Sequence, residues 1–130
     1  MASTATVRVA SPAYQAFQIL RVAFTAAPVI AGADKFMHLL TNWDKYLAPS
    51  IASLLPLPAA TFMLIVGVIE VAAGILVAVA PRIGGYVVGL WLLGIIVNLL
   101  MLPGYFDVAL RDLGLALGAF ALARLADEYR

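Results

Sequence analysis

The chain has 130 residues, of which 65% are hydrophobic and only 12% are charged, and its mean hydropathy is +1.04. A soluble domain is about 45–50% apolar and about 25% charged, so this composition predicts a protein that lies in a lipid bilayer. The net charge of +1 gives a nucleic-acid partner no electrostatic support. The sequence contains no cysteine, which excludes disulfides, thiolate metal sites and iron–sulfur clusters.

Four segments are long and apolar enough to cross a bilayer, which takes roughly 20 mostly apolar residues in a helix. We predict these spans at about residues 14–32, 59–80, 84–102 and 108–126. Proline and glycine punctuate the connections, with Pro81 before the third span and Pro103 before the fourth. Two short connections force antiparallel neighbours. The predicted fold is therefore all-α, a single-domain, four-helix transmembrane up-down bundle with tails at 1–13 and 127–130.

The first span could also be a cleaved signal peptide. It is longer than a typical signal-peptide core and contains Arg21 and Pro28, so a retained helix is the favoured interpretation. Basic residues are more numerous on the side of the termini, which predicts that both termini are cytoplasmic. The basic residues are Arg8, Arg82, Arg124 and Arg130 on that side, and Lys35 and Lys45 on the other.

The long connection after the first span is predicted to be a helix or re-entrant element at the outer membrane interface. Its apolar and aromatic residues recur at helical spacing, as Phe36, Leu39, Leu40, Trp43 and Leu47. Trp43 and Tyr46 favour the depth of the lipid head groups. The only histidine, His38, has just Met37 and Asp34 as neighbouring ligand candidates. We therefore expect an exposed or interfacial histidine and no metal site.

Each predicted span carries one stripe of polar or small residues, spaced three or four positions apart. The stripes are Tyr14, Gln18, Arg21, Thr25, Pro28 and Gly32; Gly67, Glu70 and Gly74; Trp91, Gly94 and Asn98; and Arg111, Gly114 and Gly118, with Asp112 beside them. The small residues around Glu70, and the pairs Gly85-xxx-Gly89 and Gly114-xxx-Gly118, predict close helix contacts. The other faces are Leu, Val, Ile and Ala, which suit lipid.

Glu70 lies in the middle of the second span, where an unpaired charge is costly. Depth along antiparallel helices predicts an ion pair with Arg21, and Arg111 is the second choice. Asn98, Arg111 and Asp112 are predicted to form a second polar layer nearer the outer end, close to Asp34 and Lys35.

Two hypotheses for these charges stay open. A buried pair can simply set the helix register, whereas ionisable residues within a membrane usually mark a ligand or proton site. No Ser-His-Asp set or phosphate loop is present, so no catalytic residue is predicted.

Two motifs carry a family resemblance. The stretch RVAFTAAPVIAGADKF places Arg21 in the first helix and Gly-x-x-Lys-Phe at its outer end, and Glu70-Val-x-x-Gly74 follows in the second helix. Together they resemble the DoxX-like family of small four-helix membrane proteins, over about residues 21–125, although Ala73 stands where that family usually has a paired glycine. The residues carried over by the resemblance are Arg21, Lys35, Glu70 and Gly74.

The resemblance implies a bacterial or archaeal inner-membrane protein that is linked to quinone and acts beside other subunits. The family includes a subunit of thiosulfate:quinone oxidoreductase. No covalently bound cofactor is expected. Because the sequence has no cysteine and no pair of histidines, we expect that the chain itself carries no redox centre.

Three functions remain open. The first is an accessory or quinone-interacting subunit of a membrane redox complex, with Arg21, Glu70, Asn98 and Arg111 as polar anchors. The second is a structural subunit that stabilises a larger membrane assembly. The third is a small-molecule or ion carrier with a proton-coupled Glu70. It has the least support because one bundle without an internal repeat would need to form a homo-oligomer.

Overall fold

A computed structural model of the protein describes residues 11–102 and 104–129, and every regular element within them is helical. The helices are α1 (Pro12–Met37), α2 (Pro49–Ala52), α3 (Ala59–Val79), α4 (Pro81–Leu100) and α5 (Phe106–Glu128), with a 3₁₀ turn (Trp43–Tyr46) between α1 and α2. The all-α prediction is confirmed. Residues 1–10 of the predicted N-terminal tail lie outside the described residues.

Within the described part of the chain, three helices are long and apolar enough to cross a membrane, namely α1, α3 and α4. Their outward side chains are apolar and exposed, as Ile19, Val22, Val68, Ile75, Ile83 and Leu90 show. Such surface suits lipid tails and is rare on a soluble monomer. Helix α5 has 23 residues but is not one of the three. Its charged residues are Asp107, Arg111, Asp112, Arg124, Asp127 and Glu128. The fourth span stays a prediction.

Helix α1 is longer at its C-terminal end than the sequence predicts. It begins after the N-cap Ser11, whose side chain accepts a hydrogen bond from the Tyr14 amide, with Pro12 in the first turn. It continues past Gly32 and ends at His38, which adopts a left-handed conformation with φ 54°. Lys35 therefore belongs to the helix and not to the following connection. This extra turn determines the partner of Glu70.

Helices α1 and α3 run antiparallel and touch through their glycines. A Cβ atom at Gly67 would lie 2.7 Å from the carbonyl oxygen of Gly32, and one at Gly74 would lie 2.8 Å from that of Thr25. Only glycine leaves room for the opposite backbone at these distances. The prediction that the small residues around Glu70 permit close helix contact is confirmed.

Helices α4 and α5 form a second antiparallel pair. A Cβ atom at Gly85 would lie 2.8 Å from the carbonyl oxygen of Ala119, and one at Gly89 would lie 2.5 Å from the nearest atom of the Phe120 ring. The Gly85-xxx-Gly89 prediction is confirmed. The prediction for Gly114 is wrong, because nothing lies within 4 Å of the Cβ position there.

The two helix pairs pack most closely at the end where α1 begins and α5 ends. The buried core at this end consists of Phe17, Phe24, Ala73, Val77, Val88, Ala119, Leu122 and Ala126. The rings of Tyr14 and Phe17 also contact that of Tyr129, with Tyr14 and Tyr129 at a centroid distance of 5.2 Å. The core therefore joins the two helix pairs at this end, while a cavity lies between them toward the other end.

The long connection is less helical than predicted. Residues 38–42 are irregular, and only the 3₁₀ turn and the four-residue α2 are regular before Pro58. His38 ends α1, and the Asp34 carboxylate then accepts hydrogen bonds from the amides of Leu39 and Leu40, which turns the chain. The apolar residues at helical spacing do not form a helix because these side-chain bonds compete with helix continuation.

The glycine contact between α1 and α3 gives a prediction for stability. Gly67→Ala is expected to destabilise the protein by about 1–3 kcal/mol, because the new methyl group meets the Gly32 backbone. Gly114→Ala is the matched control. It adds the same methyl group where the Cβ position is open, and is expected to be neutral or to stabilise by up to about 1 kcal/mol. Thermal unfolding in detergent, followed by circular dichroism, measures both changes. Equal melting temperatures for the two variants would contradict the close contact.

Candidate functional site

A cavity of about 990 Å³ lies between the α1–α3 pair and the α4–α5 pair, on the side of the long connection. Most of its wall is apolar, including Phe24, Phe62, Met63 and Leu99. Five of the six predicted polar residues also line it: Lys35, Glu70, Asn98, Arg111 and Asp112. The sixth, Arg21, lies on a separate pocket at the other end of the helices.

The cavity wall contains a buried ion pair between Lys35 Nζ and Glu70 Oε1. Only 3% of the Lys35 side chain and 11% of the Glu70 side chain are exposed. The predicted pairing of Glu70 with Arg21, or with Arg111 as second choice, is therefore wrong. Glu70 is buried in the protein interior, as its position on the polar stripe predicts.

The register of α1 against α3 explains why Glu70 pairs with Lys35 and not with Arg21. The Arg21 guanidinium donates hydrogen bonds to the carbonyl of Ala78, with Nε at 3.1 Å. Ala78 follows Glu70 by eight positions in α3, which is about 12 Å along a helix. Arg21 is thus about two turns from Glu70.

Lys35 reaches Glu70 because of the direction of its side chain. Helical side chains lean toward the N-terminus of their own helix. In α1 this carries the Lys35 methylenes across Gly67, where its Cβ lies 3.1 Å from the position of a Gly67 Cβ. The missing side chain at Gly67 therefore makes room for Lys35, and the ammonium arrives one turn further along α3, at Glu70.

Trp43 covers this ion pair from the connection. The Lys35 ammonium lies 4.0 Å from the centroid of the indole ring, in cation–π geometry. The indole N–H in turn donates to the Asp34 carboxylate at 2.9 Å. The sequence predicts that Trp43 lies at the depth of the lipid head groups, and its contact with Lys35 was not predicted. The available signal was the adjacent Asp34-Lys35 pair, which places an acceptor and a cation on the same helix end.

Asn98 fastens the connection to α4. Its side-chain oxygen accepts a hydrogen bond from the Ala48 amide at 2.8 Å, and its side-chain nitrogen donates to the carbonyl of Tyr46. The Tyr46 ring also meets that of Tyr105 at a centroid distance of 4.9 Å. Asn98 lines the cavity, but both ends of its amide bind backbone. Its observed role is to hold the segment that covers the cavity.

Arg111 and Asp112 form the pair on the α5 side of the cavity. Arg111 Nη2 lies 3.2 Å from Asp112 Oδ1, and 66% of the Arg111 side chain is exposed whereas only 6% of the Asp112 side chain is. The predicted second polar layer thus reduces to Asp112 as the buried charge, with Arg111 as its exposed counter-ion.

Trp91 lines the cavity and belongs to the polar stripe that the sequence predicts with Gly94 and Asn98. Its indole N–H is buried and has no hydrogen-bond partner among the described residues. A buried donor without a partner costs about 1–3 kcal/mol. Such a group is a reason to look for a ligand. The lining glycines Gly94 and Gly114 have open Cβ positions, which keeps this side of the cavity wide.

Gly74, the remaining residue of the family resemblance, has a packing role. It lies against the backbone of Thr25 and against Val29 of α1.

Comparison of the chain with protein-family models, with curated proteins and with solved structures finds no match.

Proposed function

We propose that the four long helices cross the bilayer as an up-down bundle, with α5 as the fourth span. Two contacts support this: Phe24 of α1 packs on Gly118 of α5, and Gly85 of α4 packs on Ala119. The charge of Asp112, in the second turn of α5, is buried, and Leu110 and Leu117 face outward. Arg111 lies five residues from the start of α5, close enough to an interface for its long side chain to reach water. The family resemblance and the basic residues favour a bacterial or archaeal inner membrane with cytoplasmic termini.

Within this bundle the cavity binds the head group of a quinone, and the protein acts as a quinone-binding or accessory subunit of a membrane redox complex. The observation that carries this proposal is the unpaired, buried N–H of Trp91 in a mostly apolar cavity. The carbonyl oxygens of a quinone only accept hydrogen bonds. They therefore match a site whose unused group is a donor.

The residues present fit a quinone in three ways. The cavity volume of about 990 Å³ is at the upper end of the usual range for ligand pockets, about 300–1,000 Å³. Trp91 supplies one donor, and the Lys35 ammonium supplies another, since it carries three N–H groups. Trp43 and Tyr46 supply flat apolar surface on the side of the connection.

When bound, a quinone supplies two-electron redox chemistry coupled to protons. The residues of the chain bind the head group and supply the charged groups around it. The positive charge of Lys35 favours a quinone carbonyl oxygen, which accepts hydrogen bonds. The carboxylate oxygens of Glu70 can hold a proton beside this charge. Asp112 is the next carboxylate toward the exposed Arg111, so the cavity has an acidic group on both sides.

A purely structural role for the buried charges is the competing hypothesis. It explains the Lys35–Glu70 pair and the glycine contacts. It does not explain why the Trp91 N–H lacks a partner or why the helices leave a cavity of this size. The two hypotheses differ in whether the cavity binds a ligand, and this can be measured.

Quinone binding can be tested on the purified protein in detergent micelles. Both tryptophans of the sequence, Trp43 and Trp91, line the cavity, so a short-chain ubiquinone or menaquinone analogue should quench their fluorescence saturably. Trp91→Phe removes the unpaired donor and is expected to weaken binding about tenfold, with Trp43 as the remaining probe. Gly94→Leu fills the cavity and is expected to weaken binding more than tenfold.

Ala72→Leu is the matched control for the cavity-filling variant. Ala72 is exposed on α3 and does not line the cavity, so the same side chain there should leave quinone affinity within twofold of the parent protein. Non-saturable quenching would contradict the proposal. Equal affinities for Gly94→Leu and Ala72→Leu would also contradict it.

A further inference from the structure

A second pocket, of about 880 Å³, lies at the opposite end of the helices, where α3 ends and α4 begins. Its polar lining consists of Tyr14, Gln18, Arg21, Arg82, Tyr86 and Tyr129. Two of these residues are arginines, and no described lining residue is acidic. The quinone proposal uses none of them. The positive charges of Arg21 and Arg82 therefore have no role in the proposed quinone site.

Arg21 is the inner cation of this pocket. Its guanidinium is half-buried and binds the Ala78 carbonyl, which is one of the last carbonyls of α3 and has no partner within the helix. A guanidinium has five N–H donors, and this carbonyl occupies only one edge of it. Among the described residues no carboxylate lies within 4.0 Å of Arg21. Residues 1–10 contain no Asp or Glu either. Within residues 11–102 and 104–129, Arg21 is thus a half-buried charge without a counter-ion.

Arg82 is the outer cation. It lies in the first turn of α4, about half of its side chain is exposed, and its Nε lies 3.2 Å from Asp127. This exposed pair leaves part of the guanidinium open to the surroundings. Arg21 and Arg82 therefore present donors from two helices to the same space, in a pocket at the end of the apolar part of α4.

Apolar residues continue the pocket along α4. Ile83, Val87 and Leu90 recur at intervals of four and three residues, so they share one face, and all three are exposed pocket residues. The pocket thus has two arginines at its end near the start of α4, and an apolar surface that runs from there toward the middle of that helix. This is the distribution of charge and apolar surface that a phospholipid with an anionic head group complements.

We propose that this pocket binds one anionic phospholipid, with its phosphate on Arg21 and Arg82 and an acyl chain along Ile83, Val87 and Leu90. Basic pockets between membrane helices on the cytoplasmic side bind acidic head groups in this way. The proposal rests on the membrane insertion proposed above, but not on quinone binding. The lipid would neutralise Arg21 and join α1 to the junction of α3 and α4.

The test compares lipid binding to the full-length protein by native mass spectrometry from a neutral detergent. The probes are phosphatidylglycerol, phosphatidylcholine with the same acyl chains, and inorganic phosphate. We expect a first phosphatidylglycerol to bind at least fivefold more tightly than phosphatidylcholine. Arg82→Gln is expected to weaken phosphatidylglycerol about fivefold, as for loss of one basic residue near an acidic membrane surface.

Arg124→Gln is the matched control. Arg124 is an exposed arginine of α5 near the same end, and it does not line the pocket, so its loss should change phosphatidylglycerol binding by less than twofold. Arg21→Lys keeps the positive charge and is expected to retain the preference for phosphatidylglycerol. It is used in place of a neutral variant because Arg21 also binds the α3 carbonyl.

Three outcomes would overturn the proposal. Equal binding of the two lipids would remove the need for a charged site. Equal losses for Arg82→Gln and Arg124→Gln would indicate general surface charge and not this pocket. Binding of inorganic phosphate as tight as that of phosphatidylglycerol would indicate a free-anion site. Quinone titration of Arg82→Gln is expected to match the parent protein, so failure here is distinguishable from failure of the quinone proposal.

Discussion

Replacing Glu70 with leucine is expected to destabilise the protein by about 3–5 kcal/mol, because it leaves the Lys35 ammonium buried without a counter-ion. Glu70→Gln should cost less, since the amide oxygen still accepts a hydrogen bond from Lys35, and this variant should remain folded. The double variant Lys35→Met with Glu70→Leu should recover most of the loss, because two apolar side chains replace two charges of similar volume.

Unfolding in mixed micelles of increasing SDS content measures these changes. The control is the exposed pair of Arg82 and Asp127, for which Arg82→Gln should change stability by less than about 1 kcal/mol. If the Glu70→Leu loss were as small as that of Arg82→Gln, the buried ion pair would not be holding α1 against α3. A double variant no more stable than Glu70→Leu would contradict the same conclusion.

The double variant also separates a working pair from a structural one. If the variant is stable but no longer binds quinone, Lys35 and Glu70 belong to the ligand site. If it is stable and quinone affinity is unchanged, the pair serves to set the register between α1 and α3. The same comparison for Glu70→Gln shows whether the charge of Glu70 or only its shape is needed.

Asn98→Ala is the substitution with the second largest expected effect, a loss of about 2–3 kcal/mol. It removes two hydrogen bonds and leaves the amide of Ala48 without its acceptor in a residue with 0% exposure. The consequence should be local as well as global. Hydrogen exchange of the amides at 43–52 should become faster, because Asn98 is what attaches this segment to α4.

Asn42→Ala is the control for this effect. Asn42 caps the 3₁₀ turn through a bond to the Asp44 amide, but it is exposed and does not reach α4. Its replacement should change stability by less than about 1 kcal/mol. If exchange at 43–52 were as slow in Asn98→Ala as in the parent protein, the attachment to α4 would lie elsewhere.

Several features follow from the amino-acid sequence because they depend on local composition and spacing. The apolar runs predict four spans, and within the described residues three of the corresponding helices are long and apolar enough to cross a membrane. The spacing of Gly67, Glu70 and Gly74 places them on one face, and this face does contact α1. Five of six predicted polar residues line one cavity, since polar stripes within a membrane turn toward each other.

The pairing of the polar groups could not be predicted from local composition and spacing. An additional turn at the end of α1 and the backward lean of its side chains bring Lys35 to Glu70, whereas Arg21 lies two turns away on Ala78. An error of one turn moves a side chain by about 5 Å, more than the length of an ion pair.

The free donor on Trp91 is a further case, because only the arrangement of its neighbours decides whether a buried N–H has a partner. The sequence by itself determined the apolar character of the helices, their approximate positions and their inward faces. Their pairing was decided by the tertiary structure, since hydrogen bonds and ion pairs act over distances shorter than one helical turn.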